Sequence, residues 1–367
     1  MNGKKIVVIT GASSGIGRAT ALEFVEQGHT VVLVARKKEA LEDLSNICER
    51  YGPNAMYFTC DVSRQDEVEQ LVQRIMERFG RIDVWVNNAA VALMGPFTET
   101  PMEDMRRLMD INVMGYLYGA YAVVPIFKRQ RHGTLINVSS IVGITGQPFS
   151  VAYSTSKFAI RGMGLSLRQE LMDEKDIHVC TVLPATVDTP LFDNAANYMG
   201  REVKAMPPVV DAREVAEQIV ALAKDPKPEV IVGGMGIQNM LMKYLSPDLF
   251  ANMFHKQVKE EHFKEEREGP KHGNLYQPSR HATIGGGWTN GRSRAVKMRN
   301  RNIMWAAAAV VGALAGAAAI LAKGQHGRQM DDRDPAGTFR NTSQRRKHDV
   351  APVIPATKED VRDPDVY

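Results

Sequence analysis

The sequence predicts an α/β protein built on one doubly wound parallel sheet, followed by a helical C-terminal extension. Three observations predict it. Seven short runs rich in β-branched residues recur through residues 1–235, helical patterns separate them, and the runs are apolar throughout rather than alternating. Strands that alternate with helices imply parallel crossovers, and strands apolar on both faces are covered on both sides. A chain of 367 residues, 44% hydrophobic and 24% charged, can fill such a core, and this composition excludes a disordered or fibrous protein.

The first run, KIVVIT, is too short for a secretory leader and passes straight into a glycine turn, so it reads as a buried strand. TVVLVAR, AMYFTCDV, IDVWVNNA, GTLINVSS, HVCTVLPA and EVIVG supply the other six. Between them, segments such as RATALEFVEQG and DEVEQLVQRIMERFG repeat apolar residues at three and four, the period of an amphipathic helix. Cys48, Cys60 and Cys180 are odd in number and lack metal-ligand spacing. Neither a disulfide framework nor a metal site is expected, and a reducing compartment fits. The net charge of +4 is small, and the first 240 residues carry no basic patch interleaved with aromatics. Nucleic acid is therefore not an expected partner.

The alternation stops near residue 236. Residues 236–302 begin with one or two amphipathic helices and continue as an irregular, glycine-rich connection that ends in a basic cluster, Arg292 to Arg301. Ile303 to Ala322 then hold no charge over twenty residues, enough for a helix to cross a hydrocarbon layer of ~30 Å. Half of that run is alanine, so a helix buried in an oligomer contact competes with a transmembrane anchor. The anchor is favoured. Trp305 lies at one end, Gly312 and Gly316 form a G-x-x-x-G, and the preceding basic cluster puts the catalytic domain on the cytoplasmic side. The alternative is a soluble cytoplasmic protein. Residues 323–367 carry too little apolar surface to fold alone and read as a disordered tail.

Thr10 to Gly17, TGASSGIG, follow the first strand and open a helix. A tight glycine turn there lets a pyrophosphate reach the amides at the helix N-terminus, although the spacing departs from G-x-G-x-x-G and also suits a purely structural turn. The second strand ends at Ala35 and Arg36, where an arginine rather than a carboxylate suits a 2′-phosphate; a solvated basic turn is the plain alternative. Asp61 closes the third strand, where a carboxylate can accept from an adenine amino group. Tyr153 and Lys157 stand four apart on a predicted helix and so share a face. A nearby cation favours the phenolate, making the pair an acid/base unit, though a surface pair would show the same spacing. Ser139 and Ser140 end a strand thirteen and fourteen residues before Tyr153, at the sheet edge where ligands bind.

Together these motifs resemble the classical short-chain dehydrogenase/reductase family. The resemblance is carried by the Thr10 to Gly17 loop, Asp61, NNAA at Asn87 to Ala90, Asn112, Ser140, Tyr153 and Lys157, in order over about 235 residues. It implies a Rossmann-type fold and a hydride exchanged between a nicotinamide cofactor and a carbonyl or alcohol substrate. Tyr153 would be the general acid in the reducing direction, Lys157 would lower its pKa and hold the nicotinamide ribose, Ser140 would hold the substrate oxygen, and Asn112 would position a water. The cofactor would lie along Thr10, Gly11, Ser13, Ser14, Gly15, Ile16, Gly17, Arg36, Asp61, Val62, Asn88, Ala89, Tyr153, Lys157, Pro184, Val187 and Thr189. Arg36 favours NADP, with NAD as the alternative, and a homo-oligomer is the expected assembly.

Two positions depart from the family pattern, Ala90 for a glycine in NNAG and Ala185 for the glycine after Pro184. Leu191, Phe192, Tyr198, Met199 and Met206 suggest an apolar lid and a lipophilic substrate; packing of the lid against the core explains them equally well. The competing functional class is a membrane-tethered, cofactor-binding scaffold or sensor with little turnover.

Overall fold

The structure, a computed structural model, describes residues 3–52, 55–279 and 281–289. Each of the seven apolar runs forms a strand: β1 (Ile6–Thr10), β2 (Thr30–Ala35), β3 (Ala55–Thr59), β4 (Val84–Asn87), β5 (Gly133–Val138), β6 (Ile177–Pro184) and β7 (Glu229–Val232). They join in one parallel sheet of order β7-β6-β5-β4-β1-β2-β3. The order reverses between β1 and β4, and a crevice opens at such a reversal beyond the carboxyl ends of the strands.

Successive side chains of a strand point to opposite faces, so β1 feeds two cores. Val7 and Ile9 pack with α1 (Gly15–Glu26), α2 (Lys38–Glu49) and α7 (Ala212–Leu222). Ile6 and Val8 pack with α3 (Gln65–Phe79) and α5 (Gly115–Gln130). α3 stops at Gly80, whose left-handed φ of 69° returns its N–H to the Met76 carbonyl at 2.8 Å. α7 starts where Asp211 accepts from the Arg213 N–H at 2.9 Å. α4 (Met102–Met109) runs into a widened π turn, Asp110–Met114, before α5; α6 (Val151–Glu170) carries Tyr153 and Lys157.

One buried polar chain fixes α5 against the middle of the sheet. Trp85 Nε1 donates to Asn87 Oδ1 at 2.7 Å, and Asn87 Nδ2 donates to Asn137 Oδ1 at 3.0 Å and to the Tyr116 carbonyl at 3.1 Å. The helix comes this close because residue 119 is glycine: a Cβ there would lie 2.6 Å from Asn87 Oδ1 and 2.7 Å from Trp85 Nε1.

Beyond β7, α8 (Gly234–Leu245) and α9 (Pro247–Glu261) form the expected helices. A short strand, Phe263–Arg267, then pairs antiparallel with Arg201–Val203, a pairing that sequence periodicity does not announce. Residues 268–279 and 281–289 are irregular, as their glycine and proline content implies, yet they lie along the crevice with the contacts described below. Among the described residues no helix is long and apolar enough to cross a membrane. The uncharged run Ile303 to Ala322, on which the anchor reading rests, lies outside them, as does the tail.

Gly119→Ala is expected to cost about 1–3 kcal/mol by overpacking, read as a lower denaturation midpoint. An unchanged midpoint would show that α5 does not depend on this close approach.

Candidate active site

The crevice splits into two adjoining cavities. The first is lined by Gly11, Ser13, Ser14, Gly15 and Ile16 at one wall, by Arg36, Lys37, Asp61 and Val62 at the far end, and by Asn88, Ala89, Tyr153, Lys157 and Thr189 near the centre. The second is lined by Ser140, Pro184, Ala185, Val187, Met206 and Phe254, among others. Tyr153, Ser139, Ile16, Thr189 and Leu191 face both.

The first wall is shaped for close approach. Gly11 has a φ of 66°, and a Cβ on it would lie 2.7 Å from the Ala89 Cα; a Cβ on Gly17 would lie 2.3 Å from the Gly11 carbonyl oxygen. Thr10 is buried beneath, not in the cavity: its Oγ1 donates to the Val86 carbonyl and accepts from the amides of Asn88 and Ala89. Asn88 Nδ2 donates to the Thr10 carbonyl at 2.8 Å, which locks the turn after β1 to the end of β4. The result is a helix start at the cavity wall with a cradle that side chains would fill, the shape a dinucleotide pyrophosphate needs.

At the centre, α6 presents Tyr153 and Lys157 to one point. The helix is entered through Phe149, whose φ of 60° is costly for a bulky residue, and its first turn is held where Ser150 Oγ donates to the Leu93 carbonyl. Lys157 is 2% exposed; its Nζ donates to the Val138 carbonyl at 3.0 Å and lies 5.5 Å from the Tyr153 ring centre. Burial sets both pKa values, lowering the Lys157 ammonium to about 7 and raising the Tyr153 phenol above its usual range. The sequence expectation that Lys157 depresses the phenol is thus opposed here by desolvation.

The two serines separate cleanly. Ser139 Oγ is committed to the Lys157 carbonyl at 2.8 Å, whereas Ser140 Oγ makes only long contacts, 3.3 Å to the Pro184 carbonyl and 3.3 Å from the Val142 amide. Asn112, in the π turn and fully buried, lines neither cavity. Its side chain pairs with both backbone groups of Val91 and donates to Ser156 Oγ at 3.1 Å; Ser156 in turn donates to the Tyr153 carbonyl at 2.7 Å. Asn112 therefore braces the helix turn that bears Tyr153.

At the far end, Asp61 accepts from Ser63 at Oδ1 and from Arg107 at Oδ2, 2.8 Å away. Burial raises its pKa, but these hydrogen bonds outweigh that and leave the carboxyl below its usual range. Arg36 does not face open solvent. Its guanidinium donates to the carbonyls of Leu275 at 3.1 Å, Asn274 at 2.6 Å and Gln277 at 3.2 Å.

Four features of the site escape sequence reasoning. Tyr116 Oη donates to the same Val138 carbonyl as Lys157, at 2.9 Å, with the ammonium 5.7 Å above its ring. Arg107 pairs with Asp61, and His262 and Gln257 line the second cavity from the extension. Of the expected lid, Leu191, Phe192 and Met206 line the second cavity, while Tyr198 turns away and donates to Asp104. No local motif marks any of these, because each depends on a partner distant in sequence.

This geometry defines an α/β domain of dinucleotide-binding shape, with a tyrosine that faces both cavities and a lysine that lines the first, and comparison with known proteins narrows that class. The family model for short chain dehydrogenases matches residues 5–199. The uncharacterized oxidoreductase YxnA of Bacillus subtilis is 34% identical over 322 residues, covering 86% of this chain and 90% of that protein. A short-chain dehydrogenase/reductase from Burkholderia phymatum in complex with NAD shares the fold, with a TM-score of 0.62 at 24% identity over 67% of this chain and 95% of that one. ElxO with NADP bound gives a TM-score of 0.57 at 25% identity, over 64% of this chain and all (100%) of that one. The chain belongs to the short-chain dehydrogenase family.

The buried lysine has a measurable signature. Between pH 7 and the ordinary lysine range, the unfolded chain binds a proton at Lys157 that the folded chain lacks, so folding stability rises with pH there. The slope from this group is at most about 1.4 kcal/mol per pH unit. Lys157→Met is expected to remove it in denaturation curves at pH 7, 8 and 9; identical pH slopes for both proteins would show that the lysine is charged when folded.

Proposed function

We propose that the protein is an NAD(P)-dependent oxidoreductase that interconverts a carbonyl and an alcohol on a lipophilic small molecule. The observation that carries this reading is the position of Tyr153, which faces both cavities where they meet. The first cavity, with its glycine cradle, suits the dinucleotide; members of the family bound to NAD and to NADP support a nicotinamide cofactor, which when bound supplies or accepts the hydride.

In the reducing direction, Ser140 Oγ donates a hydrogen bond to the substrate oxygen, and Tyr153 gives that oxygen its phenolic proton as negative charge develops. A phenol whose pKa is raised by burial stays protonated, which suits an acid. Burial favours the neutral amine of Lys157, and the phenolate left behind raises the affinity of that neighbouring amine for a proton, so that the ammonium, held by the Val138 carbonyl, offsets the negative charge. Asn112 acts by bracing this turn of α6. The apolar wall of Met94, Ile141, Leu191, Phe192, Met206 and Phe254 supports a lipophilic substrate. Arg36 is the group on which recognition of a 2′-phosphate would rest.

Tyr153→Phe is expected to lower turnover of lipophilic aldehydes and ketones by about 10²–10⁴ while leaving the dissociation constants of reduced cofactors within a few-fold. Equal turnover by the variant would overturn the proposed role; cofactor binding without turnover across a broad panel would favour the scaffold.

The uncharged run Ile303 to Ala322 supports a membrane tether on sequence grounds. Cells expressing the full chain are expected to hold it in the membrane fraction after a high-salt wash, and a chain ending at residue 302 to release it. Release of both by the wash would remove the tether.

A further inference from the structure

The part of the molecule farthest from any expectation is the irregular chain of residues 268–279 and 281–289, which lines the first cavity through Asn274, Pro278 and Ser279. Its hold there is extensive. His272 Nδ1 and Tyr276 Oη both contact Asp104, at 2.9 Å and 2.9 Å, and Asp104 is 1% exposed. The Thr283 carbonyl accepts from the Gly15 amide at the start of α1, at 2.9 Å. Asp188 collects the amides of Gly286, Trp288 and Thr289 together with Thr289 Oγ1. Gly273, at a φ of 52°, seats so closely that a Cβ would lie 2.3 Å from the Asn194 carbonyl oxygen.

The seat determines what surrounds Arg36. Three of the five guanidinium N–H groups point at main-chain carbonyls of Asn274, Leu275 and Gln277, and a fourth carbonyl contact, from Arg107 Nε to Leu275, draws the neighbouring cation into the same cluster. These carbonyl oxygens stand on three of the five donors that phosphate oxygens would use, and so they compete with a phosphate for this arginine. A dianion brought beside those carbonyls would also meet their negative ends. A hydroxyl meets no such conflict. Asn274 Oδ1 is buried, has no hydrogen-bond donor opposite it among the described residues, and belongs to a residue that lines the cavity; an acceptor of this kind suits the donor of a ribose hydroxyl.

We propose that residues 274–277 occupy the 2′-phosphate subsite, so that the docked segment selects a cofactor with a free 2′-hydroxyl, and NADP(H) binds only by displacing the segment. The inference rests on the reading of Arg36 as the group that would recognise a 2′-phosphate. It makes a stretch of backbone, rather than a side chain in the sheet, the determinant of cofactor choice.

The test unlatches the segment at positions away from the cofactor cradle. In the full-length protein carrying His272→Ala with Tyr276→Phe, and separately in Gly273→Val, the dissociation constant of NADPH, measured by cofactor fluorescence, is expected to fall about tenfold, roughly the worth of one charge-assisted hydrogen bond regained. That of NADH is expected to stay within about twofold. Hydrogen exchange on the unaltered protein provides a readout independent of affinity: saturating NADPH should increase exchange across 270–279, and NADH should not. Unlatched variants that bind NADPH no more tightly, or an exchange pattern identical for the two cofactors, would overturn the proposal. Failure of the underlying reading looks different: Arg36→Ala in the unlatched background would then leave NADPH binding unchanged, whereas a loss there alongside an inert latch would reject the segment alone.

Discussion

Much of the site depends on one carbonyl. Val138 ends β5, and its oxygen receives the ammonium of Lys157 and the hydroxyl of Tyr116 together. A lysine at 2% exposure is costly in any protonation state unless its donors are met, so the ending of that strand, the approach of α5 and the rotation of α6 must agree. The glycine at 119 lets α5 come near enough to bring Tyr116, and Ser139 holds the Lys157 carbonyl from the next position along the strand. Tyr153 is placed as a by-product of satisfying its neighbour.

The same logic explains the π turn at 110–114. Widening a helix by one residue frees backbone groups and redirects a side chain, and here it turns Asn112 toward both backbone groups of Val91, with Ser156 completing the link to α6. The sheet edge, the turn and α6 are thereby tied in series. An asparagine that touches neither cavity still influences the reacting centre, because it fixes the turn on which the phenol sits.

The sheet was almost wholly legible in the sequence. Apolar runs that form strands of four to eight residues, with glycine and helical patterns between them, left one architecture to adopt, and the i, i+4 spacing of Tyr153 and Lys157 survived as a shared face. The family resemblance singled out Ser140 by its thirteen-residue separation from Tyr153, whereas alternation along a strand says only that Ser139 faces the other way. What stayed hidden were contacts made through backbone groups and across long separations. Arg36 reads as the partner of a 2′-phosphate or as part of a solvated basic turn, and nothing in its neighbourhood reports that carbonyls 238 to 241 positions later will take its donors. Tyr198 reads as an apolar lid residue because its partner, Asp104, lies on α4, 94 positions earlier. The pairing of Phe263–Arg267 with Arg201–Val203 was invisible for the same reason.

The separation between Arg36 and the segment that covers it also orders events in time. Contacts spanning so much chain close the largest loops and reward the chain late, and during synthesis the residues of β1 to β7 are all joined before residue 268 is added. A chain at that stage has the residues of its cradle and lacks the carbonyls that cover Arg36. A dinucleotide present at that stage meets a binding site different from the one the finished protein presents, so the cofactor a molecule first acquires and the cofactor it later prefers are separate questions.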